Sequence, residues 1–170
     1  MLVAETPRLV IRHLSANDAD AMEAIFCDPE VMRYSEDGVQ TPEFVRVWVA
    51  NMISYDPVWG LGIWALIEKV TRDLIGYVGL SRFPNRCGPH ETELGFRLAR
   101  PYWGRGYATE AARGACDYAL HRLLLPRIIA MIDPDNVASV RVVEKIGMTR
   151  ESEIMFRGYT HPDHLYAIRQ

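Results

Sequence analysis

A glycine-containing turn between a strand and a long helix is the part of this sequence best suited to chemistry. The turn runs over residues 98–109, and its Gly104 and Gly106 let a ligand approach the backbone with no Cβ in the way. The amides of residues 105–109 are the unpaired donors of the helix's first turn, where the helix dipole favours negative charge. Three arginines lie nearby in the sequence, Arg97, Arg100 and Arg105. The turn therefore predicts an anion site suited to a phosphate-rich ligand, the alternative being a structural turn packed against its neighbours.

Two nucleotide-binding motifs can be tested on the same residues. A dinucleotide fingerprint requires G-x-G-x-x-G, but Gly104-Arg-Gly106-Tyr-Ala-Thr109 lacks the third glycine, and the strand before it follows a hairpin. A Walker-type loop requires GKS or GKT, and the chain contains neither. An NAD(P)-binding protein stays as an alternative that nicotinamide binding would have to support.

A second group of polar residues, near the end of the chain, has the residue types of a metal site. His161, Asp163 and His164 are all possible zinc ligands. They lack a convincing fourth ligand, so we expect no metal and interpret them as structural residues or contacts to a substrate.

A series of strands and helices must position the turn. Strands are predicted over residues 8–14, 61–68, 74–80, 91–98, 127–132, 148–156 and 164–169, and helices after Ser15, after Thr41, over 107–124 and from Asn136 to Ile146. Gly147 is expected to adopt the left-handed conformation that ends the last helix. This order mixes hairpins with helical crossovers, which predicts an α/β (α+β) fold with a mixed sheet and helices on both faces.

Length and composition limit the class of protein. The 170 residues, 49% hydrophobic and 24% charged, fit one folded domain spanning residues 1–170. The net charge of −3 opposes general nucleic-acid binding. We find no secretory signal and no apolar run of membrane-spanning length, and we expect a cytoplasmic protein without a membrane partner. Cys27, Cys87 and Cys116 are expected to be free thiols.

The glycine turn resembles motif A of the GNAT acyl-CoA N-acyltransferases, Q/R-x-x-G-x-G/A, and here reads Trp103-Gly-Arg-Gly106-Tyr-Ala108. Trp103 replaces the usual Gln or Arg, a departure typical of the RimJ/RimL-type branch, which acetylates N-terminal residues of ribosomal proteins. Three further segments resemble that branch in the right order: TPRLVIR over residues 6–12, YWGRGYATEA over 102–111 and NVASVRVVEKIG over 136–147. The resemblance implies a mostly antiparallel sheet of about six or seven strands.

The resemblance also implies acetyl-CoA as the donor. Its pyrophosphate would be held by the backbone of Arg105, Gly106, Tyr107, Ala108 and Thr109. Its pantetheine arm would pair with the backbone of Phe96, Arg97 and Leu98, where the strand splays from the next one and Gly95 is expected to assist a bulge. The Leu98 amide is then a donor to the thioester oxygen. Asn136 would contact the pantetheine, cap its helix, or both, and Arg141 or Lys145 would reach the nucleotide's 3′-phosphate.

Acyl transfer to an amine needs a base and an acid. Only the free amine attacks a thioester, so a carboxylate must take its proton, directly or through water. Glu93 is predicted as that base from its resemblance to the branch's glutamate, with Glu91 in reserve on the same face of the strand. Ser139, Tyr159 and Tyr166 compete as the acid that protonates the leaving thiolate.

The predicted activity is transfer of an acetyl group to a primary amine, either a peptide N-terminus or a small molecule, by direct attack in a ternary complex. The alternative is a non-catalytic sensor that binds acetyl-CoA in the same site. The branch also suggests a possible homodimer. Five aromatic residues are candidates for an acceptor pocket or for the core: Tyr34, Trp48, Tyr55, Trp59 and Trp64. Helical spacing favours the core for Trp48.

Overall fold

The computed structural model describes residues 1–54, 60–82, 91–156 and 159–170. Tyr55, Trp59, Cys87 and the predicted loop 84–89 therefore lie outside the described residues. Among the described residues, no helix has both the length and the apolar character that crossing a membrane requires.

Eight strands and four α-helices make up the described part of the chain. The strands are β1 (Leu2–Glu5), β2 (Leu9–His13), β3 (Gly62–Glu68), β4 (Leu74–Ser81), β5 (Glu93–Leu98), β6 (Arg127–Ile132), β7 (Thr149–Ile154) and β8 (Asp163–Arg169). The helices are α1 (Ala19–Phe26), α2 (Pro42–Ile53), α3 (Tyr107–Asp117) and α4 (Val137–Lys145).

All eight strands join one sheet in the order β1-β2-β3-β4-β5-β6-β8-β7. Every neighbouring pair is antiparallel except β5 and β6, which run parallel because α3 crosses over between them. The expected mixed, mostly antiparallel α/β fold is thus confirmed, with one strand more than predicted. The extra strand is β1, which pairs with β2 at the edge of the sheet and is too short to stand out in the sequence.

Helices cover both faces of the sheet, as predicted. On one face α3 and α4 pack on a core that includes Leu94, Leu98 and Tyr166. On the other face α1 and α2 pack on a second core around Phe26 and Ala65. Alternate residues of β5 therefore point to different helix layers, which decides what each predicted site residue can reach.

The helix ends follow local signals in most places. The Thr41 side chain accepts a hydrogen bond from the Phe44 amide at the start of α2, and Gly147 has a φ of +94° after α4, as expected. The helix predicted over residues 107–124 is shorter, because α3 ends at Asp117 and a π-helical turn, Tyr118–Arg122, follows it. Leu124, with a φ of +55°, reverses the chain toward β6.

Candidate active site

The parallel strands β5 and β6 pair only at their beginning. Their register contains the single pair Glu93 and Ile129, next to a hydrogen bond from the Ile129 amide to the Thr92 carbonyl. Beyond this pair the β6-facing backbone edge of β5, at Phe96 and Leu98, opens into a gap. The predicted splay is therefore present, whereas the predicted bulge at Gly95 is wrong. Residues 93–98 pair with β4 in unbroken register, so the gap arises from the short β5–β6 pairing alone.

Trp103 closes the far end of this edge. Its indole N–H donates to the Leu98 carbonyl oxygen at 2.8 Å. The residue that departs from motif A thus ties the turn to the last residue of β5. Because the Leu98 carbonyl is occupied by this contact, the Leu98 amide is the backbone group of that residue that faces the gap.

The glycine turn leads from β5 into α3 in a left-handed conformation. Gly104 has a φ of +72° and Gly106 a φ of +82°, values that residues other than glycine rarely adopt. A Cβ placed on Gly104 would meet no atom within 4 Å, and one on Gly106 would meet only the Arg8 guanidinium, at 3.4 Å. The first-turn amides of α3 therefore open onto unfilled space, which fits the predicted anion site.

A cleft of about 540 Å³ joins the turn, the open strand edge and the start of α4. Nine of the predicted site residues line it: Phe96, Arg97, Leu98, Gly106, Tyr107, Ala108, Thr109, Asn136 and Ser139. Three do not, namely Arg105, Glu93 and Tyr166. Residues that the sequence analysis did not assign to the donor site complete the lining from the segment between α1 and α2: Glu30, Val31, Arg33 and Tyr34.

The charges lining the cleft are mostly positive. Of the residues that the structure describes, four cations line it, Arg33, Arg97, Arg141 and Lys145, against one carboxylate, Glu30. Among the described residues none of these four cations forms an ion pair. Four unpaired cations in one cleft of a chain with a net negative charge favour a polyanionic ligand. Together with the glycine turn, Arg141 and Lys145 of α4 fit the phosphates of a coenzyme A thioester, whereas the Arg97 guanidinium lies over Phe26 and Tyr77.

Two arginines expected near the anion have other roles. The Arg105 guanidinium lies over the Tyr102 and Tyr107 rings, 5.6 and 5.2 Å from their centroids, so only its backbone belongs to the turn. Arg100 is exposed and lies 3.6 Å from the Asp28 carboxylate. The positive charge of the cleft therefore comes from other cations than these two.

Arg8 supports the turn from outside the cleft. Its guanidinium donates to the Arg105 carbonyl at 2.9 Å and lies 4.3 Å from the centre of the Tyr107 ring. The same side chain is paired with Glu110, in the first turn of α3. Sequence reasoning missed this residue, although it lies in the TPRLVIR segment that resembles the RimJ/RimL-type branch.

Asn136 and Ser139 lie side by side at the start of α4. The Asn136 side-chain oxygen accepts the Ser139 amide at 3.2 Å, which confirms the predicted cap. Within the described residues, the side-chain nitrogen of Asn136 (Nδ2) and the Ser139 hydroxyl make no hydrogen bond, and both residues line the cleft. Both groups are placed to contact a ligand in the gap.

The two candidate bases occupy different surroundings. Glu93 opens β5, paired in register with Ser81 of β4 and Ile129 of β6. It points to the same face as Arg97, because Leu94 and Leu98 belong to the core beneath α3 and α4. Glu91 instead accepts a hydrogen bond from Arg127 at 2.7 Å.

The two tyrosines proposed as acids lie apart from the cleft lining. Tyr166 is only 4% exposed on β8, within the core beneath α3 and α4. Burial, reinforced by the charge of Glu144, raises its pKa above the usual value. The Tyr159 ring packs edge-on against Phe156, 5.6 Å between centroids.

Of the predicted aromatic candidates, the described ones divide between core and cleft. Trp64 is buried, and Trp48 packs against Phe26 and Tyr77 with centroids 4.8 and 5.6 Å apart. Tyr34 lines the cleft. The core interpretation of Trp48 is therefore confirmed, and Tyr34 is the described aromatic placed to meet a ligand.

The polar residues near the chain end meet a different set of partners than their spacing indicated. His161 lies 3.2 Å from Asp133, and with Asp135 these residues bring possible ligand atoms within 4.8 Å of one another. The hydrogen bond to Asp133 raises the pKa of His161, which favours a His–Asp ion pair. This pairing accounts for the cluster without a metal ion.

Comparison with known proteins agrees with this geometry. Residues 8–149 match the family model described as an acetyltransferase (GNAT) domain. Two proteins of Bacillus subtilis (strain 168) are similar: the uncharacterized protein YkkB, 35% identical over 84% of this chain and 83% of its own, and the uncharacterized N-acetyltransferase YnaD, 34% identical over 86% and 82%. The crystal structure of a GNAT-family acetyltransferase from Bacillus anthracis has a TM-score of 0.86 at 31% identity, over 99% of this chain and 98% of that one.

Proposed function

Because the chain belongs to the acetyltransferase (GNAT) family, an acyltransferase family whose donor is acetyl-CoA, we propose that it transfers the acetyl group to the primary amine of a peptide N-terminus or a small molecule. The observation that carries the proposal is the cleft between β5 and the starts of α3 and α4. It places an open strand edge, a glycine turn at a helix N-terminus and two cations of α4, Arg141 and Lys145, around one space, and neither cation forms an ion pair within the described residues.

Donor binding divides among groups of this chain. The backbone amides of Arg105 to Thr109 would hold the pyrophosphate, with Arg141 and Lys145 neutralising phosphate charge from α4. The backbone of Phe96 and Leu98 would pair with the pantetheine, and the Asn136 amide would add a further contact. The Leu98 amide would then donate to the thioester oxygen, where negative charge grows during attack.

Transfer removes two protons from the ammonium nitrogen, one before the attack and one after it, and supplies one proton to the leaving sulfur. A lysine-type amine has a pKa of about 10.4, so a base must take a proton from the ammonium form. We assign that role to Glu93, directly or through a water molecule, since it lies on the strand that leads to the donor site. The free amine attacks the thioester carbon and a C–N bond forms. The nitrogen then loses its second proton to solvent, the C–S bond breaks, and coenzyme A leaves as the thiol once its sulfur is protonated.

Ser139 is the acid we favour for the leaving sulfur. Ser139 lines the cleft and its hydroxyl makes no hydrogen bond within the described residues, whereas Tyr166 is buried and Tyr159 lies outside the lining. Tyr159 and Tyr166 remain the alternatives. Orientation of the two reactants in one complex would supply much of the rate.

The finer assignments rest on the sequence motifs. The segments over residues 6–12, 102–111 and 136–147 support the RimJ/RimL-type branch and, with it, a peptide-like acceptor. A homodimer, a cytoplasmic location and the absence of further domains in the 170 residues remain predictions.

Calorimetric titration with acetyl-CoA, with NAD and ATP as controls, tests the donor site, and a thiol-release assay over a panel of amines tests transfer. Saturable micromolar binding of acetyl-CoA alone, followed by thiol release with an amine, is the expected result. The matched relative YnaD is named an N-acetyltransferase, which favours catalysis over an acetyl-CoA sensor. Binding without turnover for any amine would favour the sensor, and no binding at all would overturn the proposal.

A further inference from the structure

Resting on the proposed function, we infer that Arg97 selects the acceptor, and that the enzyme prefers amines that carry a carboxylate. Arg97 is the penultimate residue of β5, the strand whose edge opens into the cleft, and it is among the residues that line that cleft. Its backbone belongs to the predicted donor site. Its guanidinium, however, points away from the amides predicted to hold the donor's phosphates.

The Arg97 side chain projects from the face of the sheet opposite α3 and α4. Its neighbours on β5, Phe96 and Leu98, pack with the core beneath those two helices. The guanidinium instead lies over Phe26 of α1 and Tyr77 of β4, 5.3 and 5.9 Å from the ring centroids. The amides predicted to hold the donor's phosphates belong to α3, on the other side. The Arg97 charge is therefore available to the second substrate.

The aromatic neighbours fix the guanidinium without neutralising it. The Phe26 and Tyr77 rings are stacked 5.7 Å apart with 8° between their planes, and Arg97 lies over both. A guanidinium held by its face keeps its N–H edges for a planar anion, and a carboxylate matches that geometry with two hydrogen bonds. Within the described residues Arg97 has no carboxylate partner. An anionic ligand would supply the missing partner.

The strand leaves room for a substrate next to Arg97. Gly95 lies two residues earlier on the same face, and a Cβ placed there would meet no atom within 4 Å. Glu93, the proposed base, comes two residues before Gly95 on that face. A substrate lying over Gly95 would direct its amine toward Glu93 and its carboxylate toward Arg97. Such a substrate is a free amino acid, or a peptide with an acidic residue next to its N-terminus.

Matched amines test the inference on the unmodified enzyme. Each amino acid is compared with its amide and with its decarboxylated amine, and a peptide with Glu at the second position is compared with its Gln counterpart. Thiol release at saturating acetyl-CoA is expected to give a kcat/KM at least ~10-fold higher for the carboxylate-bearing member, since an unmatched charged group in a site is costly. The amino acid and peptide arms distinguish the two sources of the carboxylate.

Variants then locate the effect. Arg97→Gln is expected to raise KM for the carboxylate-bearing amine ~10- to 100-fold, with the Kd of acetyl-CoA within twofold of wild type, and Arg97→Lys is expected to recover part of the loss. Arg46→Gln is the matched control, because Arg46 is an exposed residue of α2 and its loss also removes a cation on this side of the sheet. Equal kcat/KM within the matched pairs, a raised acetyl-CoA Kd in Arg97→Gln, or no transfer to any carboxylate-bearing amine would overturn the inference. Absence of acetyl-CoA binding in the wild type would instead remove the proposed function itself.

Discussion

Arg8 and Glu110, 102 residues apart, are joined by two hydrogen bonds. The Arg8 side chain donates to one carboxylate oxygen at 2.7 Å, and the Arg8 backbone amide donates to the other at 2.8 Å. Thr6 adds a hydroxyl donor to the same carboxylate. Because Arg8 also binds the Arg105 carbonyl, Glu110 couples the segment before β2 to the turn that opens the cleft.

We expect Glu110→Gln to loosen the turn and to reduce the protein's stability in a pH-dependent way. Burial favours the neutral acid, yet the hydrogen bonds from Thr6 and Arg8 outweigh it and lower the pKa of Glu110 below 4.5. A lowered pKa contributes stability that is present above pH 4.5 and is lost as the pH falls through the folded-state value. Thermal unfolding should show the variant about 1–2 kcal/mol less stable at pH 7 and the difference narrowing below pH 4.5. A constant difference down to pH 2 would contradict this account.

Gly106→Val is expected to abolish acetyl-CoA binding while the protein still folds. At a φ of +82° a valine costs about 1–3 kcal/mol of backbone strain, and its side chain would crowd the Arg8 guanidinium, which holds the Arg105 carbonyl, so the turn that presents the first amides of α3 would shift. Gly38→Val is the matched control, because Gly38 has a φ of +62° and does not line the cleft. Calorimetry should show normal acetyl-CoA affinity for the control. Retained affinity in Gly106→Val would place the phosphates elsewhere.

Replacing Glu93 by Gln is expected to reduce kcat by roughly 100- to 1000-fold, as the loss of a general base does, and to leave the acetyl-CoA Kd unchanged. The loss should shrink as the pH rises toward the pKa of the acceptor amine, where less ammonium needs a base. Glu91→Gln should mainly lower the melting temperature, because it removes a partner of Arg127. If instead Glu91→Gln lowers kcat and Glu93→Gln does not, Glu91 is the base.

Ser139 and the two tyrosines can be separated by single hydroxyl deletions. Ser139→Ala is expected to lower kcat ~10- to 100-fold, whereas Tyr166→Phe and Tyr159→Phe should change it less than ~3-fold. The reason is position, since Ser139 is among the residues that line the cleft and Tyr166 is buried beneath α3 and α4. Steady-state kinetics with one amine measure kcat for each variant. A larger loss of kcat in Tyr166→Phe or Tyr159→Phe than in Ser139→Ala would assign the acid role to that tyrosine.

Cys116 is expected to resist alkylation in the folded protein. It is buried, and burial raises the pKa of its thiol to about 12, so almost no thiolate forms at pH 8. Cys27, a partly buried free thiol, should react first. Mass spectrometry after iodoacetamide treatment of native protein should find Cys116 unmodified, and its labelling should appear only after unfolding. Rapid labelling of Cys116 under native conditions would show that this core opens readily.

Local signals in the sequence predicted the parts of the site that are local in structure. The glycine turn, the Asn136 cap and the alternation of β5 each depend on residues within a few positions of one another, and all three are present. The clamp between Arg8 and Glu110 and the segment carrying Arg33 depend on contacts far apart in the chain. No spacing rule could bring these together.

The sequence is least informative about which face of the sheet a catalytic side chain occupies. Glu93 and Tyr166 were grouped as catalytic residues, yet Glu93 lies on the face of α1 and α2 and Tyr166 on the face of α3 and α4. A shift of one residue in strand register exchanges these faces. Alternation separates Glu93 from the core face of β5, but only the assembled sheet shows which helices cover each face, so the sequence alone could not place Glu93 and Tyr166 relative to each other.

The single pair between β5 and β6 also has a mechanical consequence. The sheet consists of two parts, β1–β5 and β6–β8, and within the described residues the two parts pair only at Glu93 and Ile129. A chain-like ligand could bond to the free edge at Phe96 and Leu98 while its other side contacts α4. Such a ligand would bridge the gap between the two parts of the sheet. Donor binding would then hold the two parts of the sheet together as one rigid unit before the acceptor binds.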